Sequence, residues 1–272
     1  MRFSSDQIQR IGKEISSKVD GKTLFDEFSR GRYSTDASVY QIKPLGVVLP
    51  KDTNDVLNLM EYSQKNSIPL LARGGGSSQC GQTVGESVVL DYSKHQNKIL
   101  ELNVEEKYVW VQPGVVLDHL NSFLRPYGLW FPVDVSTSSR ATIGGMSANN
   151  SCGSRSLYYG NMVHNVLAIE AILDDGSLHT FDQINKNYLT TTNNQDRFYK
   201  IIDKFLNLRQ KVSKDIDENW PTTQRRVGGY NIDLIDPNGF NSSNLLVGSE
   251  GTLSLFNSCL LYTSDAADDR LS

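Results

Sequence analysis

Cysteine is scarce and scattered. Cys80, Cys152 and Cys259 are the three in 272 residues, and none belongs to a C-x-x-C pair. That argues against a disulfide framework, a zinc ribbon or an iron–sulfur cluster held by these residues. Histidine is nearly as thin: His95, His119, His164 and His179 are the four, and they show no metal-ligand spacing. No apolar run approaches the roughly 18 residues that a membrane-spanning helix needs, and the mean hydropathy is −0.38. Met1 to Asp20 is polar and mixed in charge, unlike a secretory signal peptide. Positive charge is not in excess, since 27 Lys+Arg against 31 Asp+Glu leave a net charge of −4. The basic footprint of a nucleic-acid binder is therefore missing. The cysteine pattern makes a reducing cytoplasm the expected location, with a peripheral position at a membrane surface as the alternative expectation.

What is present reads as α+β. Ile8, Ile11, Ile15 and Val19 share one face of a short N-terminal helix, and Thr23 to Ser38 reads as an irregular lead-in. Gly46 to Pro50 is an apolar strand stopped by proline, and Thr53 caps a helix to about Asn66. Strands are predicted over Ile68–Ala72, Ser87–Asp91, Ile99–Asn103 and Lys107–Gln112, then a helix over Leu117–Tyr127 capped by Gly128. Asp174-Asp175-Gly176 marks a hairpin between Leu167–Leu173 and Ser177–Phe181. Phe198–Lys211 is an amphipathic helix, and Leu245–Gly248 a short strand. Residues 1–36 form the lead-in and 37–256 the main domain, with subdomains of about 37–103 and 104–256. Residues 257–272 lack periodicity and are set outside the fold. They read either as translated sequencing-adaptor sequence on a truncated frame or as a natural acidic tail.

Two glycine-rich segments carry the chemistry. Arg73-Gly74-Gly75-Gly76-Ser77-Ser78 follows an apolar strand directly. Consecutive glycines let amide N–H groups converge on an anion, and the serines add hydroxyl donors. The nucleotide-triphosphate loop fails here because Gln82 stands where its lysine is required, and the G-x-G-x-x-G fingerprint fails at Gln79. A ligand-free surface turn explains this segment about as well as a pyrophosphate site does. The second segment, Phe131 to Gly153, is long and rich in small residues, and reads as a loop unable to form a core. Such loops are uncommon inside domains unless functional. Together the two suit a cofactor with a phosphate end and a polar, planar end.

At these motifs the chain resembles the FAD-binding domain of the vanillyl-alcohol-oxidase or p-cresol-methylhydroxylase (PCMH) type, over roughly Tyr33 to Phe256. Within that superfamily it is most similar to FAD-linked oxidases of the D-lactate, glycolate and D-2-hydroxyglutarate dehydrogenase group, in a bacterial-type branch whose FAD domain precedes iron–sulfur modules. The resemblance implies two α+β subdomains with FAD between them. Arg73, Gly74, Gly75, Gly76, Ser77 and Ser78 would wrap the pyrophosphate, with Gln82 beside them. Pro132, Asp134, Ser136, Thr142, Gly144, Gly145, Ala148, Asn149, Asn150 and Gly153 would line the flavin and ribityl chain. Tyr159, Gly160, Val166 and Ile169 match a stretch whose backbone faces the cofactor. Gly248-Ser249-Glu250-Gly251-Thr252 matches the closing turn, with Glu250 and Gly251 near the cofactor. Ser77 or Ser78 stands where several relatives tether flavin through histidine, so FAD is expected to be non-covalent.

The activity implied is oxidation of a D-2-hydroxy acid to the 2-oxo acid, with hydride transfer to flavin N5 and electrons passed to iron–sulfur modules or a quinone. No catalytic residue is named, because the relatives' substrate domain would begin where this chain stops. Two rivals stay open: a cell-wall amino-sugar reductase of the same fold, and a flavin-binding module without activity. Arg155 is balanced between a flavin-facing role and a salt bridge. His164, Tyr230 and Asn231 are outside candidates, and a lone histidine is more often structural.

Overall fold

In the computed structural model, residues 3–185, 196–223 and 225–266 are described. Two sheets divide them. The first has the order β1-β2-β4-β3, with β1 Lys22–Leu24, β2 Gly46–Leu49, β3 Leu70–Arg73 and β4 Val88–Asp91. The β4 strand runs parallel to both β2 and β3, whereas β1 is antiparallel on the edge. A parallel β2–β3 crossover needs a helix, and α3 Thr53–Asn66 supplies it, burying Val56, Leu59 and Tyr62. The helix is capped by Asp52, whose carboxylate accepts from Asn54 N and Asp55 N, rather than by Thr53. Helix α1, Ser5–Ser16, packs Ile8, Ile11 and Ile15 onto the same apolar cluster. Each fully buried side chain of this kind contributes roughly 1.5–3 kcal/mol.

The lead-in is not irregular. It supplies edge strand β1 and helix α2, Glu27–Arg32. Buried Asp55 fastens it by accepting from Asp20 N, Gly21 N and Lys51 N at 2.7–2.9 Å. A three-residue strand is too short to leave a periodic signal, and the tertiary bonds to Asp55 lie 34 or 35 residues away in sequence.

The second sheet is antiparallel, in the order β5-β6-β12-β8-β9. Its strands are β5 Ile99–Asn103, β6 Tyr108–Val111, β8 Val166–Ile172, β9 Leu178–Phe181 and β12 Leu255–Tyr262. Helix α4, Leu117–Leu124, and a 3-10 turn over Arg125–Tyr127 end at Gly128, as the sequence predicts. Short pairs β7 Leu129–Trp130 with β13 Ser264–Asp265, and β10 Gln183–Asn185 with β11 Gly239–Asn241, border this layer. The chain passes from the first sheet to the second between Asp91 and Ile99.

Three sequence expectations are corrected here. Residues past 256 are not outside the fold: β12 occupies the centre of the second sheet, and Cys259 and Leu261 are fully buried. A register shift between Phe256 and Ser258 breaks the alternation that would have announced the strand. Residues 267–272 of that segment lie outside the described residues. Phe131–Gly153 does contribute to a core, because Phe131, Val133, Ile143 and Met146 are buried and helix α5 spans Ile143–Asn149. Leu245–Gly248 is no strand; a 3-10 turn over Ser242–Leu245 is held by Ser242 Oγ donating to Asp182 O and Ser243 Oγ donating to Val166 O.

Candidate cofactor site

A cavity of about 470 Å³ opens between the two sheets, within the range of ordinary ligand pockets. The end of β3 and the glycine loop form one wall, the start of α5 the second, and the turn around Glu250 the third. The walls meet at backbone distance. A Cβ on Gly74 would fall on Thr142 Oγ1, and one on Gly75 would fall on Arg140 O. Only glycine permits that approach.

Among the described residues, no protein acceptor takes the backbone N–H groups of Gly74, Gly75, Gly76, Ser77, Ser78 or Gln79. Six successive amide donors without partners, in a loop free of carboxylates, form a concavity suited to an anion. Thr142 Oγ1 is also unpartnered, though the residue is 2% exposed and lines the cavity. Buried hydroxyls in that condition are rare in proteins. These are the features a diphosphate-bearing cofactor needs.

Arg73 is placed differently from the expectation of a phosphate ligand. Its Nη1 donates to Thr83 O at 3.1 Å and its Nη2 to Thr35 O at 2.8 Å, with the guanidinium 5.3 Å from the Tyr33 ring. It braces the glycine loop from beneath, and burial pulls its pKa below the usual arginine value. Gln82 closes the loop: Ser78 Oγ donates to its Oε1, while its Nε2 donates to Glu250 Oε1 at 3.4 Å. Glu250 also accepts from Asn149 Nδ2 at 2.7 Å. This carboxylate ties the glycine loop to α5, from a backbone with φ of 53°. Burial raises its pKa, opposed in part by the Asn149 and Gln82 bonds. The turn docks through Gly248 N donating to Ser147 O and Glu250 N donating to Ala148 O.

Of the sequence-expected residues, Arg73, Gly74, Gly75, Gly76, Ser77, Ser78, Gln82, Ser136, Thr142, Gly144, Gly145, Ala148, Asn149, Glu250 and Gly251 line this cavity. The others do not. Asn150 is fully buried, its Oδ1 accepting from Val163 N. Val166 and Ile169 are core positions of β8. Pro132 is buried, and Asp134 instead organises the next turn, accepting from Ser154 Oγ and Arg155 N. Gly153 abuts Asp134, Gly160 abuts His164, and Tyr159 stacks edge-on against Trp130.

The outside candidates also resolve. Arg155 lies 4.7 Å over the Trp130 ring. His164 Nδ1 accepts from Asn161 N, and burial lowers its pKa. With Arg226 it lines a separate cavity of about 240 Å³. Asn231 is a buried brace that donates to Val247 O, and Tyr230 bonds Thr252. Sequence reasoning missed Tyr92, Pro113, Ser254 and Phe256, all of which line the main cavity. They are single residues at strand ends, without a motif to mark them.

The FAD binding domain family matches residues 44–182, from before β2 to the end of β9. The chain belongs to the FAD binding domain family. FAD is therefore its cofactor, and the fold is the α+β arrangement expected from the sequence. The chain is 37% identical over 236 residues to a D-2-hydroxyglutarate dehydrogenase of Haemophilus influenzae, covering 81% of this chain and 22% of that protein. A D-2-hydroxyglutarate dehydrogenase of Escherichia coli is 34% identical, with 86% of this chain and 24% of that protein covered. The FAD binding domain described here thus spans about a quarter of the length of these relatives. Among solved structures, an alkyldihydroxyacetonephosphate synthase superposes with a TM-score of 0.66 at 18% identity, covering 94% of this chain and 40% of that one. That likeness concerns the fold. No helix among the described residues is long and apolar enough to cross a membrane.

Proposed function

We propose that this chain is the FAD-holding part of an enzyme that oxidises a D-2-hydroxy acid to its 2-oxo acid. The observation that carries the reading is the row of unpartnered amides from Gly74 to Gln79, which with the adjacent Thr142 lines a cavity of ligand size. The relatives named D-2-hydroxyglutarate dehydrogenase supply the substrate class. Bound flavin supplies the hydride acceptor, and the protein supplies binding and orientation. Gly74 to Ser78 would hold the diphosphate, with Thr142 and Gln82 beside it. Glu250 would fix the geometry of the cavity mouth rather than take the substrate proton, because both neighbouring amides point at its carboxylate. No histidine lines the cavity, so the acid–base groups and substrate ligands are assigned to the remaining length of the relatives. FAD would be held non-covalently, with electrons leaving to iron–sulfur modules or a quinone, in the cytoplasm or at a membrane surface.

The test is an absorbance spectrum of the purified chain before and after heat release. Flavin bands that move to the supernatant support non-covalent FAD; bands that stay with the protein refute it. Turnover of D-2-hydroxyglutarate or D-lactate with an artificial acceptor then separates a dehydrogenase from a flavin-binding module. This second assay uses the chain joined to the remainder of the enzyme. A well-folded chain that refuses added FAD sinks the reading.

A further inference from the structure

The smaller cavity shares no lining residue with the cofactor cavity. At about 240 Å³ it falls just under the roughly 300 Å³ at which pockets for drug-sized ligands begin, so it suits a smaller molecule. Arg226 is held there from three directions. Its Nη2 donates to Asp233 Oδ2 at 2.5 Å, its guanidinium carbon lies 4.9 Å from the Trp220 ring, and its carbonyl accepts from Asn161 Nδ2 at 3.0 Å. Among the described residues, no protein acceptor takes its Nε or Nη1 protons, and both atoms stay open to solvent. His164 is oriented as firmly. Its Nδ1 accepts from Asn161 N at 3.0 Å, which leaves the proton of the neutral ring on Nε2, where no described residue accepts it. Burial, with the Arg226 charge adding to it, holds the His164 pKa below its usual value.

Asp233 is the one carboxylate among the described lining residues, and Arg226 already engages it. Two donors of positive character thus converge on a cavity that lacks a second negative acceptor. The remaining walls select the anion. Trp220, Val163 and Leu234 are apolar, while Thr222 and Thr223 add exposed hydroxyls. A phosphate dianion would face Asp233 and leave the apolar wall unused. A carboxylate carries a single charge and brings a carbon chain to that wall.

One loop reaches both cavities. Val227 follows Arg226 in the chain and lines the cofactor cavity. Arg225 Nη1 donates to Gly153 O at 2.9 Å, and Tyr230 Oη bonds Thr252 Oγ1 at 2.8 Å. Between these two pins, Gly228 and Gly229 have open space where a Cβ would stand, so the loop has room to shift. We propose that the smaller cavity binds a small organic carboxylate between Arg226 and His164, and that Val227 carries its occupancy to the cofactor cavity. The first part stands apart from the FAD reading above; the second rests on it.

The experiment is titration of the purified chain with glutarate, butyrate and inorganic phosphate, read by tryptophan fluorescence and by calorimetry. A carboxylate is expected to give a saturable fluorescence change that Trp220→Phe abolishes, and phosphate none. Arg226→Gln keeps a donor for Asp233 but removes the charge, and should weaken the carboxylate about tenfold or more, as for a lost charged hydrogen bond. Arg226→Lys should bind better than Arg226→Gln. His164→Asn should cost about three- to tenfold, and decides the matter if Arg226→Gln fails to fold. The site is overturned by no saturable response to either carboxylate, by a response unchanged in Trp220→Phe, or by phosphate binding as tightly as glutarate. Saturating carboxylate should also shift the FAD dissociation constant, by the same factor with which FAD shifts the carboxylate's; an unshifted constant overturns the coupling. A chain that binds the carboxylate yet refuses FAD fails at the FAD reading instead.

Discussion

Glu250 combines a left-handed backbone, a half-buried carboxylate and two side-chain amide donors. Because burial raises its pKa, the native chain holds this proton more tightly than the unfolded chain does. Stability from this residue is therefore highest below the ordinary glutamate range, about pH 4, and falls as pH rises through the raised value. Glu250→Gln keeps an acceptor for both amides and removes the titration. Thermal melts of the two proteins across pH should show the wild type losing ground above pH ~4 relative to the variant; parallel curves would contradict the assignment. The glycine loop makes a sharper prediction. Gly75→Ala drives a Cβ into a backbone carbonyl that cannot rotate away, and should cost about 1–3 kcal/mol together with FAD binding. Gly74→Ala meets the Thr142 hydroxyl instead. Adding Thr142→Ala should restore much of its melting temperature, a rescue unavailable to Gly75.

At the scale of elements, the legible and illegible parts separate by mechanism. Helix α3, the strands β2 to β6, the Gly128 cap and the Asp174–Gly176 hairpin were readable because periodicity and turn residues act locally. The first glycine loop was readable for the same reason, and so was the lining role of Thr142 and Glu250 through their motifs. Tyr92 and Ser254 were not, since their role comes from two sheets meeting. Asn150, Val166 and Ile169 sit in or beside motifs yet face the core, because a motif specifies a stretch and the backbone decides which side chains reach the cavity. Strand β12 was hidden by its bulge and by Asn257 and Ser258, which spend their side chains on Glu170. Its central position yields a test. Ending the chain after Phe256 deletes the partners of Tyr108–Val111 and splits the sheet into separate pairs. Size-exclusion chromatography and circular dichroism should then show aggregation or loss of fold, while a soluble, folded product would refute the central placement.

For the whole molecule, the cofactor cavity is bounded by both sheets, so ligand and architecture are thermodynamically linked. A ligand that binds only the folded state stabilises it by about 2.7 kcal/mol at a hundredfold excess over its dissociation constant. FAD at that excess should raise the melting temperature of the chain. Hydrogen exchange should slow on both walls together, at Gly74–Gln82 and at Ile143–Asn149 with the turn at Glu250. Protection confined to one wall would mean that the cofactor does not bridge them.

The place of β12 in the sheet also has a consequence for synthesis. A ribosome delivers β5, β6, β8 and β9 well before residues 255–262, yet β6 and β8 have no partner in each other and must wait for the strand that lies between them. From the completion of β8 until residues 255–262 emerge, the nascent chain thus carries two unpaired strand edges, an invitation to chaperones or to misassembly. Closure of the sheet, and with it the third wall around Glu250, waits for that strand. Nascent chains arrested with 256 residues outside the exit tunnel should fail to retain FAD, and those with 266 outside should capture it.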